Sequence, residues 1–291
     1  MLSDSARGHL VMLTFSALVA GSFSLGRMAT PFVDPAVLNA VRFVVAALAL
    51  GVLALQSGAG REVFDAPWRY VILAGLYATY FVTMFEGLKT APPVNMAAVF
   101  TLSPLMAVGF GWLVLRQHTT LRVLFALLLG GLGAVWVIFR ADVQALLAFE
   151  IGRGEMIYVW GCAAHALFAP LLSKFSRGEP AVAFNAVMLV MGAVLLGLWG
   201  AQDIAATDWG ALPRIVWITI GYTAIAATAT TTLCLRYAAM RLPASKVLAY
   251  TYLVPSWVIL WEIAVGHGAP PALVLPGVAL TCLALLLLLK D

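Results

Sequence analysis

Residues 91–115 read APPVNMAAVFTLSPLMAVGFGWLVL, with Pro92 at the head of an apolar run and Pro104 twelve residues later. Residues 242–265 read LPASKVLAYTYLVPSWVILWEIAV and repeat this arrangement with Pro243 and Pro255, 151 residues further on. Each run can cross a bilayer as a helix. A proline inside such a helix frees a carbonyl one turn earlier, which lipid alone cannot satisfy. Two interrupted helices at matching places in two halves indicate a transporter's substrate site, with helix breaks at Pro104 and Pro255.

The composition of the 291-residue chain excludes a water-soluble globular protein. Hydrophobic residues make up 63% of the chain and charged residues 10%, whereas soluble domains carry about 25% charged residues. The net charge of +4 does not indicate nucleic-acid binding, because basic cytoplasmic loops of a membrane protein account for it. Three cysteines lie in apolar segments without metal-ligand spacing, so neither a disulfide framework, a metal site nor a cofactor is predicted.

Ten stretches are long enough to span a membrane, which takes about 20 apolar residues. The first has neither a preceding basic cluster nor a small-x-small cleavage site, so we interpret it as a retained span. The longest gap follows the fifth stretch, which predicts one membrane unit made of two five-helix repeats, 1–145 and 146–291. The predicted spans are 10–26, 36–55, 70–87, 91–115, 123–139, 156–173, 181–201, 213–235, 243–265 and 272–289.

The two halves share more than the proline pairs. The segment PAVLNAVRFVVAALALG from Pro35 aligns with PAVAFNAVMLVMGAVLLG from Pro180 with a single insertion. Because five is an odd number, the second half enters the membrane with the opposite orientation. The predicted fold class is an all-α membrane protein of ten transmembrane helices, arranged as two inverted repeats around a central cavity. The small residues of GGLGA at 130–134 allow a close helix contact.

The orientation follows from the distribution of basic residues. If the N-terminus is inside, ten lysine and arginine residues fall in cytoplasmic segments and five in external ones. Positive charge concentrates on the cytoplasmic side of membrane proteins, so both termini are predicted to be cytoplasmic.

These features resemble the drug/metabolite transporter superfamily, in its EamA-type branch, over essentially the whole chain. The resemblance is carried by Gly21 and Ser22 in the first span, Arg42 in the second, and EGLKTAPPVNMAAVFTLSPLMAVGFGWLVL at 86–115. It implies ten helices around a cavity that moves small metabolites by alternating access in a bacterial inner membrane. It also implies amino-acid export, because the most similar well-described group exports amino acids, including aromatic ones.

The chain departs from that family's pattern at the ends of the fourth and ninth spans. The family usually has a glutamate there, whereas this chain has LRQ at 115–117 and GHG at 266–268. The role of that glutamate in hairpin closure or dimer contacts is therefore not transferred, and a homodimer is an assembly that the sequence leaves open.

Lys246 is the most informative charge within a predicted span. A charge at the bilayer centre costs roughly 2.5–3.5 kcal/mol, so it normally faces a cavity or a partner. Lys246 occupies the repeat position of Asn95, and Tyr250 lies one turn after it. We predict that Lys246 holds a substrate carboxylate while aromatic rings pack an apolar group. The alternative is that Lys246 snorkels to the nearby cytoplasmic interface.

Further polar and aromatic side chains complete the predicted substrate site: Arg42, Tyr77, Tyr80, Trp160 and His165. Arg42 either contacts an anionic substrate or has a structural or gating role, pairing with a carbonyl or lipid phosphate. His165 can titrate near neutral pH and couple protons to transport, or it is packed as a hydrogen-bonded core residue. Glu86 is a second coupling candidate, unless it simply pairs with Lys89.

The leading prediction is a secondary transporter that exports small, amino acid-like solutes through the bilayer. A phosphate- or nucleotide-sugar antiporter is the alternative, but it should concentrate basic residues in the cavity, where only Arg42 and Lys246 are available. An intramembrane enzyme is disfavoured, since HExxH, GxSxG and paired aspartates are absent from the sequence. The sequence contains no nucleotide-binding loop, so ATP-driven transport is not indicated.

Overall fold

The computed structural model of the chain describes residues 3–56, 58, 60–148, 150–242, 247 and 249–289. Within these residues the fold is all-helical and contains no strand. Nine described helical segments are long and apolar enough to cross a membrane. They are Asp4–Ala29, Pro35–Leu55, Trp68–Leu88, Pro93–Leu115, Leu121–Ile138, Arg153–Phe175, Ala181–Trp199, Arg214–Ala238 and Ala272–Leu289.

The α-helices are numbered here in chain order. They are α1 (Asp4–Ala29), α2 (Pro35–Leu55), α3 (Trp68–Leu88), α4 (Pro93–Phe100), α5 (Ser103–Leu115), α6 (Leu121–Ile138), α7 (Val143–Leu147), α8 (Arg153–Phe175), α9 (Ala181–Trp199), α10 (Ala201–Ala206), α11 (Arg214–Gly221), α12 (Thr231–Ala239), α13 (Val254–Ala264) and α14 (Leu275–Leu289). A π-helix, Tyr222–Thr230, joins α11 to α12. Short 3₁₀ turns occur at Arg61–Phe64, Tyr250–Leu253 and Ala272–Val274.

Capping side chains mark where several of these helices begin. Asp34 accepts a hydrogen bond from the Ala36 N–H at 2.7 Å, and Pro35 fills the first position of α2. Thr120 accepts one from the Val123 N–H at the start of α6. These bonds satisfy N–H groups that have no partner inside the helix.

Both proline-containing spans are interrupted in the structure. The first stops at Phe100 and resumes at Ser103, with Pro104 in the first turn of α5. In the second, Pro255 lies in the first turn of α13, directly after a 3₁₀ turn. Proline is tolerated in a first helical turn because its missing N–H would have no partner there.

The first helix begins and the last helix ends at the same end of the bundle. Met12 of α1 lies in one hydrophobic cluster with Leu242, which follows α12, and Leu289 of α14 packs against that cluster. We call this the terminal end. At the opposite end, Gly87 near the end of α3 approaches Gly154 at the start of α8 so closely that a Cβ on either would contact the other's carbonyl.

The GGLGA stretch brings α6 against α14. A Cβ on Gly133 would lie 2.5 Å from the Gly277 carbonyl oxygen, and a Cβ on Gly277 would lie 2.7 Å from the Gly133 oxygen. Nearby, the Trp136 indole donates a hydrogen bond to the Leu273 carbonyl at 2.8 Å. The helices therefore meet backbone to backbone, as small residues allow.

At the terminal end, an ion pair joins the start of α3 to the connection between α8 and α9. Arg69 Nη2 lies 2.8 Å from Glu179 Oε1, and both side chains are at most 3% exposed. Burial alone would raise the pKa of the Glu179 carboxyl. Hydrogen bonds from the Arg177 N–H and from Arg69, with the positive charge of Arg69, place that pKa below its ordinary value of 4.5.

We expect Gly133→Ala to destabilise the protein, because the new methyl group would meet backbone that cannot rotate away. Overpacking of this kind costs about 1–3 kcal/mol. Gly131→Ala is the matched control, since its Cβ would have ordinary contacts at 3.7 Å or more. Thermal unfolding in detergent should show a lower Tm for the first variant alone; equal Tm values would contradict the close contact.

We expect Glu179→Gln to lower stability at neutral pH by about 1–3 kcal/mol, because Arg69 loses its buried anion. A lowered carboxyl pKa gives stability that is complete above pH 4.5 and lost as pH falls through the folded-state value. The variant should therefore lose this acid-side decline in Tm. The exposed control Glu150→Gln should keep it, and an unchanged profile in Glu179→Gln would refute the assignment.

Candidate functional site

Arg42 lies at the centre of the candidate site and is fully buried on α2. Its Nε and Nη2 atoms donate to Thr228 Oγ1 at 3.2 and 2.9 Å, and Nη1 donates to Asn39 Oδ1 at 3.4 Å. The guanidinium carbon lies 3.6 Å from the centroid of the Phe81 ring. Arg42 is therefore held by two neutral side chains and an aromatic face.

Thr228 belongs to the π-helix, whose sequence YTAIAATAT consists largely of alanine and threonine. Its hydroxyl donates to the Thr223 carbonyl at 2.8 Å, five residues earlier, while its oxygen accepts from Arg42. The π-helical spacing is rare and occurs frequently at functional sites. Here it places a hydroxyl group between its own backbone and a buried cation.

Arg42 has no anion in contact with it within the described part of the chain. None of the ion pairs found there includes Arg42. A buried cation without a counter-ion is costly, and an ionisable residue inside a membrane normally marks a functional site. The guanidinium is therefore a candidate partner for an anionic group from outside the chain.

Aromatic rings from five helices surround this region. Tyr77 stacks on Phe43 at 5.7 Å between ring centroids and on Phe168 at 5.3 Å, and it meets Phe81 edge-on. These rings fill the space between α2, α3 and α8. The aromatic cluster comprises Phe23, Phe43, Tyr77, Tyr80, Phe81, Phe100, Tyr158, His165 and Phe168.

His165 lies within the aromatic cluster, with its ring centroid 4.5 Å from that of Tyr80. The Tyr158 hydroxyl donates to the Tyr80 hydroxyl at 3.2 Å. A titratable imidazole and two phenolic hydroxyls are thus grouped beside apolar ring faces. This combination offers both hydrogen bonds and flat apolar surface to a small molecule.

The structure brings together four of the sequence-predicted site residues: Arg42, Tyr77, Tyr80 and His165. Trp160 lies outside the aromatic cluster, and its side chain is 71% exposed. Trp160 and His165 are five residues apart on α8, and with 3.6 residues per turn this spacing directs them to different faces. Lys246 lies outside the described residues.

Asn95 and Tyr250 make contacts at opposite ends of the bundle. Asn95 Nδ2 donates to Glu155 Oε1 at 2.9 Å, which joins the start of α4 to the start of α8, and both side chains are buried. At the terminal end, the Tyr250 hydroxyl lies 2.8 Å from His9 Nδ1 on α1. Each contact joins an interrupted span to the first helix of the other half.

Glu86 forms an ion pair with Lys89, with Oε2 and Nζ 2.6 Å apart. Both side chains are more than a third exposed, at 38% and 35% for Glu86 and Lys89. The pairing that sequence spacing offered as the alternative is therefore present.

The GHG sequence at 266–268 forms a tight turn after α13. Gly266 and Gly268 have φ of 85° and 86°, which glycine adopts without strain. His267 Nδ1 lies 3.0 Å from Glu262 Oε2 on the last turn of α13. A glutamate is thus engaged near this hairpin, although it lies before the turn.

Two buried partners of predicted residues were not themselves predicted as site residues. Thr228 binds Arg42, and the only sequence signal was its position 151 residues after Tyr77. Glu155 binds Asn95, and the only indication in the sequence was that an acidic residue occurs in the first turn of an apolar span. In the described residues, no group of three or more His, Cys, Asp or Glu side chains could hold a metal ion.

Comparisons with known proteins show what this chain is similar to. The sequence model of the EamA-like transporter family matches residues 6–139 and 152–290. The uncharacterized transporter YyaM of Bacillus subtilis (strain 168) is 24% identical over 265 residues, which cover 89% of this chain and 86% of YyaM. A solved crystal structure aligns with a TM-score of 0.69 over 97% of this chain and 96% of its own; at 20% identity it shows a shared fold alone.

We expect Thr228→Val to destabilise the protein by about 1–3 kcal/mol, because it leaves two buried guanidinium N–H groups without an acceptor. Thr230→Val is the matched control in the same π-helix, since its hydroxyl makes no hydrogen bond with the described residues. Thermal unfolding in detergent measures both. Equal stability of the two variants would contradict the importance of the Arg42–Thr228 contact.

Proposed function

Because this chain belongs to the EamA-like transporter family of the drug/metabolite transporter superfamily, and is therefore a membrane transporter rather than an enzyme, we propose that it exports amino acid-like solutes. These solutes carry a carboxylate next to an apolar or aromatic group. The observation that carries the proposal is Arg42, a fully buried cation held by neutral partners beside the aromatic cluster.

The chemistry of Arg42 and the aromatic cluster suits such a solute. A guanidinium can bind a carboxylate through two parallel hydrogen bonds, which are stronger than its bonds to a neutral hydroxyl. A substrate carboxylate therefore displaces Thr228 with a gain in electrostatic energy. The faces of Tyr77 and Phe168 pack the apolar side chain, and tyrosine hydroxyls accept hydrogen bonds from an ammonium group. Lys246 stays a proposed second carboxylate contact.

We further propose ten crossings arranged as two inverted repeats. Helix ends at a common end of the bundle require an even number of crossings, and α13 lies in the predicted ninth span, 243–265, which is not among the nine helical segments given above. The family model matches two successive ranges of the chain. The main contacts also fit a pseudo-twofold axis, because α2 packs on α9 and α6 packs on α14.

Alternating access through this bundle requires, at each end, a contact between helices that can close that end. The Asn95–Glu155 contact supplies one at the opposite end, and the His9–Tyr250 contact supplies the other at the terminal end. Opening one while the other stays formed would expose the aromatic cluster to one side only. We propose that the terminal end faces the cytoplasm of a bacterial cell, as the distribution of basic residues indicates. A homodimer stays an open prediction.

Proton coupling has two proposed candidates in the described chain. His165 lies in the aromatic cluster, beside the rings that would pack the substrate, so its charge state would alter binding. Glu86 stays the second candidate and is paired with Lys89.

We expect Arg42→Gln to reduce amino-acid exchange in proteoliposomes by more than about tenfold, because the substrate carboxylate loses its charged partner. Its Tm should be unchanged or higher, since an uncompensated buried charge is removed. Arg214→Gln, a matched change at an exposed arginine, should leave exchange intact. Unaltered exchange by Arg42→Gln across labelled amino acids would refute the proposed site.

The same vesicles separate the competing substrates. Labelled nucleotide sugars and organic cations serve as competitors beside the amino acids, and the amino acids alone should compete. Competition by nucleotide sugars would favour the phosphate-type antiporter. Lys246→Ala should also lower exchange if Lys246 contacts the carboxylate.

A further inference from the structure

A cavity lies away from the aromatic cluster, between the two interrupted spans and the last helix. Its volume is about 490 Å³. The walls come from α5, α6, α14 and the stretch that precedes α13. Pro104, Val123, Leu127, Tyr252 and Leu288 are among its lining residues. We call this space the lateral groove.

The lateral groove has an apolar depth and a polar mouth. Its deep walls are formed by aliphatic side chains and Tyr252, whereas Gln117, His118, Thr119 and Thr120 line the mouth at the α5–α6 turn. This turn lies at the terminal end, where α5 ends and α6 begins. A groove with this gradient, open at one end of a membrane bundle, suits an amphipathic molecule.

Two arginines flank the mouth residues in the sequence, since Arg116 precedes Gln117 and Arg122 follows Thr120 by two positions. Arg116 caps α5 in the left-handed conformation, and Arg122 in the first turn of α6 donates to the Leu287 carbonyl at 3.2 Å. Both side chains are exposed, and the sequence RQHTTLR at 116–122 contains no acidic residue. Basic pockets between membrane helices on the cytoplasmic side attract anionic lipid head groups.

The dimensions of the groove favour a narrow, elongated occupant. From Pro104 to the α5–α6 turn the groove follows roughly 20 Å of helix, at about 1.5 Å per residue. A volume of about 490 Å³ over this length gives a mean cross-section of about 25 Å². The space therefore suits a single extended hydrocarbon chain.

We propose that the lateral groove binds one acyl chain of an anionic phospholipid, whose phosphate lies between Arg116 and Arg122. The chain covers apolar walls that would otherwise face water or a void. Its deep end contacts Pro104 and Tyr252, which belong to the two interrupted spans. A bound lipid therefore contacts both broken helices and the last helix at once.

Photo-crosslinking tests the position of the chain. The purified protein is reconstituted in phosphatidylcholine vesicles with a phosphatidylglycerol that carries a diazirine on one acyl chain, and adducts are mapped by mass spectrometry. We expect adducts on residues 104–127 of the wild-type chain. Ala107→Trp, which fills the groove, should reduce them by about tenfold. Leu113→Trp, on the exposed side of α5, is the matched control and should not.

The same vesicles also test the contact between the lipid head group and the two arginines. Replacing one arginine at the mouth, Arg116→Gln or Arg122→Gln, should lower phosphatidylglycerol labelling by about fivefold. Arg236→Gln, an exposed arginine at the same end, should leave it unchanged. The same diazirine chain on phosphatidylcholine should label the groove more weakly than on phosphatidylglycerol.

Three results would overturn the proposal. The first is wild-type labelling spread evenly over the outer faces of the helices, a result that does not depend on any variant folding. The second is equal labelling by the two lipids, which would remove the anionic head group from the site. The third is crosslinking of the groove to a second copy of the chain.

Discussion

A polar group inside the hydrocarbon layer has no water to bind, so the protein itself must supply every hydrogen-bond partner. This constraint explains most of the polar contacts in the structure. Threonine hydroxyls bond to carbonyls of their own helix, as Thr101 does to Ala98 at 2.7 Å. Arginines near helix ends bind carbonyls of neighbouring helices, as Arg27 does with Leu88. Buried charges without a counter-ion are the exceptions, and they are candidates for a role beyond folding.

Arg42 is the clearest of these exceptions. Its hydrogen bonds are satisfied, but its charge is not, so the folded protein carries an electrostatic cost that a neutral side chain would avoid. The aromatic cluster beside Arg42 offers flat, rigid ring faces but no counter-ion for the guanidinium. If Arg42 binds substrate as proposed, stability and activity make opposite demands at this position, as is common where a binding site is built into a core.

Much of the fold follows from the sequence for physical reasons. Hydropathy predicts the spans because lipid selects long apolar runs, and the prolines predict the interrupted helices because they cannot continue a hydrogen-bond ladder. Side-chain direction is harder to predict. Trp160 faces outward and His165 inward, yet both occur in the same apolar helix, where hydrophobicity does not separate the two faces.

Side-chain contacts between helices that are distant in the sequence likewise cannot be predicted from residue spacing. The Glu155–Asn95 contact joins residues 60 positions apart, and the Arg42–Thr228 contact joins residues 186 apart. A local pattern cannot reveal such pairs, because they depend on how the helices are arranged. The π-helix that presents Thr228 is also set by packing, since its alanines and threonines are compatible with an ordinary helix.

The contact between Gly133 and Gly277 has a consequence for how this sequence can change. Each glycine is required by the carbonyl of the other, so neither position can gain a side chain unless its neighbour's helix retreats. The two positions are 144 residues apart in the sequence. Because both are already glycine, no smaller residue at one position can make room for a side chain at the other, so both positions should tolerate glycine alone.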